Sequence, residues 1–182
     1  MKWQLDTAHS EIQFSVRHMM ISKVRGQFEQ FSGTFDFDET NPTQSHIKVE
    51  IAADSINTRN DQRDGHLKSP DFLDAANHPT LTFESTNIEK IDDSHGRLTG
   101  NLTIKNISRQ VILDVEHTGM AKNPFTGGVS AGFTATGKVN RKDWGMTWNQ
   151  ALETGGILVG DDIEIAIELE LVKTPEMTGV AA

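Results

Sequence analysis

The chain has 182 residues, of which 36% are hydrophobic and 24% are charged. This composition excludes an intrinsically disordered chain and is typical of one globular domain. It contains no cysteine, which excludes a disulfide framework, thiolate zinc sites, iron–sulfur clusters and cysteine nucleophiles. The formal net charge of −9 makes nucleic acid an unfavourable partner, because an acidic surface repels phosphate backbones and anionic lipid headgroups.

The N-terminal residues become polar and acidic almost at once, so they do not form the apolar run of about 7–15 residues that a signal peptide needs. The sequence also has no apolar stretch of about 18 residues, the length needed to span a bilayer. We therefore expect a cytoplasmic protein, although the mature form of an exported protein with an added Met1 would have the same sequence.

Apolar residues recur at every second position through most of the chain, which is the period of a β-strand. They lie on even numbers from Ile12 to Phe28 and on odd numbers from Phe31 to Phe37. A change of phase by one residue reverses the faces of a strand, so the pattern predicts a bulge or a sharp bend near Glu29–Gln30.

Later segments also alternate, and each has one apolar and one polar face. Such one-sided strands are typical of an antiparallel sheet, and long ones close into a barrel that removes exposed edges. The sequence therefore predicts an all-β fold, a single antiparallel barrel of about eight strands with room for one small ligand. We expect residues 1–173 to form this one domain and residues 174–182 a loose tail. The alternating segments lie around 47–53, 81–83, 98–104, 111–115, 129–139 and 163–171.

One segment, residues 63–76, breaks the strand rhythm. Leu67, Phe72 and Leu73 lie at roughly helical spacing, and Ser69 before Pro70 is a pattern that begins helices. We expect one or two short helical turns here, covering one end of the barrel.

Two groups of side chains are candidates for the ends of the barrel. Arg63, His66 and Lys68 could hold an anionic head group through charge-assisted hydrogen bonds, or could lie in an exposed loop and pair with neighbouring aspartates. Trp144 and Met146, in a turn-rich segment, either pack over a barrel end or fill the core.

Enzyme chemistry has weak support in the sequence. Gly128–Gly132 matches the G-x-S-x-G pattern around Ser130, but a nucleophile elbow needs a helix after the serine, and a strand-like segment follows. His18 and His117 continue apolar strand faces, which predicts buried, hydrogen-bonded rings rather than metal ligands. A hydrolase or a metal-dependent enzyme using His18, His117 or Ser130 inside the barrel remains the alternative. A protein-binding outer face is disfavoured by the charged outward positions of Asp162–Glu170.

Several ordered motifs between Trp3 and Val172 resemble the YceI-like polyisoprenoid-binding family. The resemblance implies an elongated, lipocalin-like barrel whose apolar pore holds the tail of a polyisoprenoid, such as an isoprenoid quinone or a polyprenyl phosphate. It implies a binding protein with no enzymatic activity, cofactor or metal, and it is compatible with a homodimer and with transient membrane contact. The motifs are Trp3–Asp6, Ala8–Ser10, Phe14–Met19, Gly26–Phe28, Phe31–Phe35, Ser55–Thr58, Arg63–Ser69, Asp71–Ala75, His78–Pro79, Gly100–Ile104 and Arg141–Gly145.

The alternation of inward and outward residues along the strands, together with this resemblance, predicts the residues that contact the ligand. We expect the segment 63–76 to act as a gate, with Leu67 and Phe72 directed at the lipid tail and Arg63, His66 or Lys68 at the head group. The residues predicted to line the pore are Phe14, Val16, His18, Phe28, Phe35, Ile51, Leu67, Phe72, Phe83, Leu102, Ile104, Phe133, Trp144, Met146 and Ile165.

Overall fold

The computed structural model describes residues 2–173, so the predicted tail at 174–182 lies outside the described residues. Within this range, none of the helical segments is long and apolar enough to cross a membrane. The helix is α1 (Asp61–Leu67), and the strands are β1 (Gln4–Leu5), β2 (Glu11–His18), β3 (Ser22–Phe28), β4 (Phe31–Asp36), β5 (His46–Ala52), β6 (Ile56–Asn57), β7 (Thr80–Lys90), β8 (His95–Ile104), β9 (Ile107–Lys122), β10 (Val129–Asn140) and β11 (Val159–Lys173).

The strands form one antiparallel sheet in the order β4-β5-β7-β8-β9-β10-β11-β2-β3-β6, and β1 pairs with β11. The sheet is curled. The chain runs directly from β3 into β4, although these strands lie near opposite ends of the strand order, and Trp3, which precedes β1, bridges Phe35 of β4. This confirms the all-β, lipocalin-like fold. The described residues contain eleven strands rather than about eight, because β1 and β6 are two-residue strands and a bend separates β3 from β4.

The predicted change of phase at Glu29–Gln30 is confirmed as a bend between two strands. On one side β3 pairs with β2 and β6, whereas on the other β4 pairs with β5. Because the bend reverses the faces, the even-numbered Phe28 and the odd-numbered Phe31 both point into the barrel.

The helical segment begins earlier than predicted, which corrects the assignment of Ser69 as its cap. The side chain of Asn60 accepts a hydrogen bond from the backbone N–H of Arg63 at 2.9 Å and caps α1. Residues after Leu67 form turns, in which Ser69 donates its hydroxyl to the carbonyl of His66 at 2.6 Å. Ser69 therefore closes the end of the helix instead of starting a new one.

The turn between β7 and β8 is held by the carboxylate of Asp92. It accepts hydrogen bonds from the backbone N–H groups of Ser94 and His95 at 2.9 and 2.7 Å, and its Oδ1 lies 2.9 Å from Nδ1 of His95. The backbone bond from Ser94 and the bond with the His95 ring lower the pKa of Asp92 from 3.8 to about 2. Because the folded-state pKa is the lower one, the stabilisation is present above about pH 4 and is lost as the pH falls towards 2.

We therefore expect Asp92→Ala to lower the unfolding temperature near neutral pH, and the gap from the parent to narrow as the pH falls from about 4 to about 2. Thermal unfolding followed by circular dichroism across this pH range measures the effect. Asp93→Ala is the matched control, since Asp93 is exposed and forms a solvent-exposed ion pair with Lys90 at 3.2 Å. A gap for Asp92→Ala that stays constant with pH would contradict the assignment.

Candidate functional site

The curled sheet encloses an elongated cavity of about 650 Å³. Its lining continues along β11 from Val159 to Leu171, a path of roughly 40 Å at about 3.3 Å per residue. The wall is almost entirely apolar because each strand directs alternate residues inwards. Cavities of about 300–1,000 Å³ with such walls hold apolar ligands in other proteins.

The structure places every residue predicted to line the pore on the wall of this cavity. That these residues contact a ligand remains a prediction. Further wall residues follow the same period of two on β5, β8, β9 and β11, so the signal that identifies them is the alternation already visible in the sequence. They include Ile47, Val49, Leu98, Val111, Leu113, Val115, Ile163, Ile167, Leu169 and Leu171.

Packed aromatic side chains line one end of the cavity, here called the Trp144 end, where β11 begins at Val159. Trp144 is 1% exposed, and its Nε1–H donates to the carbonyl of Leu102 at 2.9 Å. Phe72 is buried, and the ring of His66 packs edge-on against Phe72 and Trp148, with centroids 5.0 and 4.5 Å apart. Trp144 therefore both fills the core and borders the cavity.

A buried guanidinium organises the loop at the Trp144 end. Arg141 is 2% exposed and donates to the carbonyls of Met146, Trp148 and Gly160 at 2.6, 2.8 and 2.9 Å. Its Nη2 also lies 3.5 Å from Oδ1 of Asp161. Burial lowers the pKa of Arg141, and Asp161 acts in the opposite direction. Sequence reasoning did not assign this role, because the carbonyl acceptors are backbone groups that carry no residue-specific signal.

The predicted head-group cations already have protein partners. Arg63 donates through Nε to the hydroxyl of Thr58 and through Nη2 to its carbonyl, both at 2.7 Å. Nε2 of His66 lies 2.9 Å from a carboxylate oxygen of Asp71. Arg63 and His66 border the cavity. Lys68 is not among the wall residues, and its Nζ lies 3.5 Å from Oδ1 of Asp54. Of the two alternatives that the sequence left open, this arrangement favours a loop in which the three cations bind neighbouring protein groups.

The opposite end, here called the Trp3 end, contains a second group of aromatic side chains. Phe37 packs against Trp3 and Phe133 with centroids 5.7 and 5.2 Å apart, and His117 stacks on Phe133 at 5.0 Å. The ring of His117 borders the cavity as predicted, but the prediction of a hydrogen-bonded ring is wrong. Its buried Nε2 has no hydrogen-bond partner within residues 2–173.

The residues of the enzyme alternative are not brought together. His18 pairs with Val159 at one end of β11, whereas His117 lies opposite Phe133 towards the other end. Ser130 borders a separate surface depression and not the main cavity, because its neighbours on β10, Ala131 and Phe133, point inwards. The nucleophile and the candidate bases therefore share no reaction centre.

The described residues bring three metal-ligating side chains together outside this cavity. The ligand atoms of Asp6, His9 and Glu170 lie within 4.8 Å of one another. Nδ1 of His9 is 2.9 Å from a carboxylate oxygen of Asp6, and this hydrogen bond raises the pKa of His9 and lowers that of Asp6. Asp6 also caps the 3-10 turn Thr7–His9, so this pair has a structural role of its own.

Comparisons with known proteins agree with this geometry. A family model described as a YceI-like domain matches residues 3–171. A UPF0312 protein of Staphylococcus aureus strain bovine RF122 / ET3-1 is 39% identical over 165 residues, which cover 91% of this chain and 94% of the relative. The crystal structure of a Campylobacter jejuni YCEI protein is 36% identical, with a TM-score of 0.75 over 96% of this chain and 99% of that one. A polyisoprenoid binding domain from Saccharophagus degradans, 12% identical, shares the fold with a TM-score of 0.65 over 96% of this chain and 99% of that one.

Proposed function

We propose that this chain, which belongs to the YceI-like family, binds a polyisoprenoid lipid in its cavity and stores or carries it without catalysing a reaction. The observation that carries the proposal is the shape and chemistry of the cavity, an apolar tunnel that continues along most of β11. A branched isoprenoid tail fits such a tunnel because apolar burial contributes about 25 cal/mol per Å² and requires no specific hydrogen bonds. The Saccharophagus degradans domain named for polyisoprenoid binding has the same fold.

The placement of charges favours an uncharged head group, such as that of an isoprenoid quinone, over a polyprenyl phosphate. His66 and Lys68 are paired with carboxylates and Arg63 donates to Thr58, so a phosphate would have to compete with those partners. Burial of a doubly charged phosphate without matched donors costs several kcal/mol. A quinone ring needs only a few hydrogen bonds and can stack on aromatic side chains.

The proposal is tested by identifying the lipid that the purified protein retains. Native mass spectrometry, followed by organic extraction and mass analysis, should reveal a long-chain isoprenoid. Protein stripped of lipid should then take up an isoprenoid quinone from detergent more tightly than a polyprenyl phosphate of equal tail length. Protein that is repeatedly empty and takes up neither compound would contradict lipid binding, whereas a preference for the phosphate would contradict only the head-group assignment.

The segment 63–76 provides a second test, because Phe72 and Leu67 border the cavity next to Trp148. We expect Phe72→Ala to weaken isoprenoid retention, since loss of a buried aromatic side chain costs about 3–5 kcal/mol of packing in a core. Leu67→Ala should have a smaller effect in the same direction, because Leu67 is only partly buried. Quinone fluorescence-quenching titrations measure retention, and thermal unfolding measures stability.

The matched control for this test is Ile112→Ala, which removes an exposed apolar side chain on the outer face of β9. It should change neither retention nor the unfolding temperature appreciably. If Phe72→Ala and Leu67→Ala bind isoprenoid as tightly as the parent while only the unfolding temperature falls, the segment is a structural brace and not a gate.

A further inference from the structure

The hairpin between β2 and β3 exposes apolar side chains at the Trp144 end of the barrel. Met19, Met20 and Ile21 are 41%, 63% and 77% exposed. The neighbouring loop before β11 adds Ile157, which is 37% exposed. The two loops are joined, because the backbone N–H of Met19 donates to the carbonyl of Leu158 at 2.8 Å. The four exposed side chains form one apolar surface, here called the lip.

The backbone of the hairpin conflicts with its own sequence. Met19 and Met20 have φ values of 52° and 63°, and the N–H of Ile21 donates to the carbonyl of His18 at 3.1 Å, closing the turn. His18 pairs with Ser22, so the hairpin loop has three residues, and positive φ values at its first two positions favour Asn and Gly, since longer side chains are strained in the left-handed region. Neither methionine belongs to the described core, so core packing does not compensate for this strain. Departures from local rules without structural compensation occur at functional sites.

The β2–β3 hairpin, which supplies three of the four lip residues, differs in charge from the whole chain, and the neighbouring loop adds one exposed acidic residue, Glu153. Residues 12–28 contain three cations, Arg17, Lys23 and Arg25, and no acidic residue, although the chain carries a net charge of −9. All three are exposed. Lys23 pairs with Glu164 at 2.9 Å, whereas Arg17 and Arg25 form no ion pair with the described residues. Exposed apolar side chains beside free arginines match a bilayer interface that carries anionic headgroups.

The lip also adjoins the cavity. His18, the last residue of β2, and Leu158, in the loop before β11, flank the lip, and both border the cavity. The β9–β10 hairpin at the opposite end exposes Phe125, at 94%, and the surface depression beside it contains one basic residue, Lys122, and one acidic residue, Glu170. The two charges of this depression balance, whereas residues 12–28 of the β2–β3 hairpin carry three cations and no acidic residue.

We propose that the lip is a membrane-docking surface, with Met19, Met20 and Ile21 inserted among the headgroups and acyl chains of an anionic bilayer while Arg17 and Arg25 contact the headgroups. Docking brings the Trp144 end of the cavity to the membrane. A lipid tail can then pass between bilayer and barrel with little exposure to water. The surface is defined by the lip itself and does not depend on which lipid fills the cavity.

The test is sedimentation of the full chain with vesicles of phosphatidylcholine alone and with vesicles containing phosphatidylglycerol. The parent should bind the anionic vesicles several-fold better, and added salt should weaken the binding. The double substitution Met19→Asn with Met20→Gly should lower vesicle affinity about tenfold, because it removes two inserted apolar side chains. This variant should fold at least as stably as the parent, since it supplies the residues that the turn favours. Loss of binding therefore cannot be attributed to misfolding.

Phe125→Ser, at the opposite end, is the matched control and should bind vesicles as the parent does. The proposal is overturned if the parent binds neither vesicle, if Met19→Asn with Met20→Gly binds unchanged, or if Phe125→Ser loses binding instead. It is also overturned if the lip variant only abolishes self-association in light scattering, which would make the lip a protein contact. Lipid retention measured without vesicles tests the proposed function separately.

Discussion

Arg141→Met is expected to be the most destabilising substitution that keeps the side-chain volume, with a loss of about 3–5 kcal/mol in the free energy of unfolding. The guanidinium is the donor that satisfies the carbonyls of Met146 and Trp148, in the irregular loop after β10, and of Gly160, near the start of β11. Methionine fills the space but leaves the acceptors without a donor. The midpoint of urea unfolding measures the loss.

Lys142→Met is the matched control for this prediction. Lys142 is the next residue, its side chain is half exposed, and it pairs with Asp161 at 3.2 Å, so its removal should cost less than about 1 kcal/mol. Arg141→Lys should not restore stability, since an ammonium group cannot reach several carbonyls at once as the planar guanidinium does. Equal urea midpoints for Arg141→Met and Lys142→Met would contradict the prediction, because they would show that the loop does not need the Arg141 guanidinium for its stability.

The role of Arg141 could not be predicted from the sequence, whereas the cavity wall could. The period of two places Phe14, Phe133 and Ile165 on the cavity wall, because the direction of a strand side chain is a local property of the backbone. The bend at Glu29–Gln30 is predictable for the same reason. The carbonyl partners of Arg141 lie 5 to 19 residues away, in the loop after β10 and at the start of β11, and carbonyls are common to every residue type.

The ends of the barrel were harder to predict than its wall. The cluster Arg63, His66 and Lys68 has the composition of an anion site, yet folding gives each cation a local partner. Asn60, rather than Ser69, caps the helix, because several residues in the segment have capping side chains and only the path of the chain selects one. Tertiary placement therefore determines which groups these cations meet, and their role towards a head group stays a prediction, whereas alternation alone predicts the wall of the cavity.

Ala135→Trp is expected to produce the largest loss of lipid binding, with retention of isoprenoid falling at least about tenfold. Ala135 lies in the middle of β10, and its cross-strand neighbours Val115 and Ile167 also border the cavity. An indole at this position occupies the tunnel that the tail needs. The added side chain enters open space, so the stability cost should stay below the about 1–3 kcal/mol of overpacking in a filled core.

Thr136→Trp separates blocking of the tunnel from the mere presence of a tryptophan on this strand. Thr136 is the next residue of β10, is exposed and points outwards, so the same side chain placed there should leave retention at the parental level. Quinone titrations of stripped protein compare the two variants, and circular dichroism confirms that each keeps the sheet. Should Ala135→Trp retain isoprenoid as well as Thr136→Trp does, the lipid lies outside the barrel, because a tail cannot pass a tunnel that an indole fills.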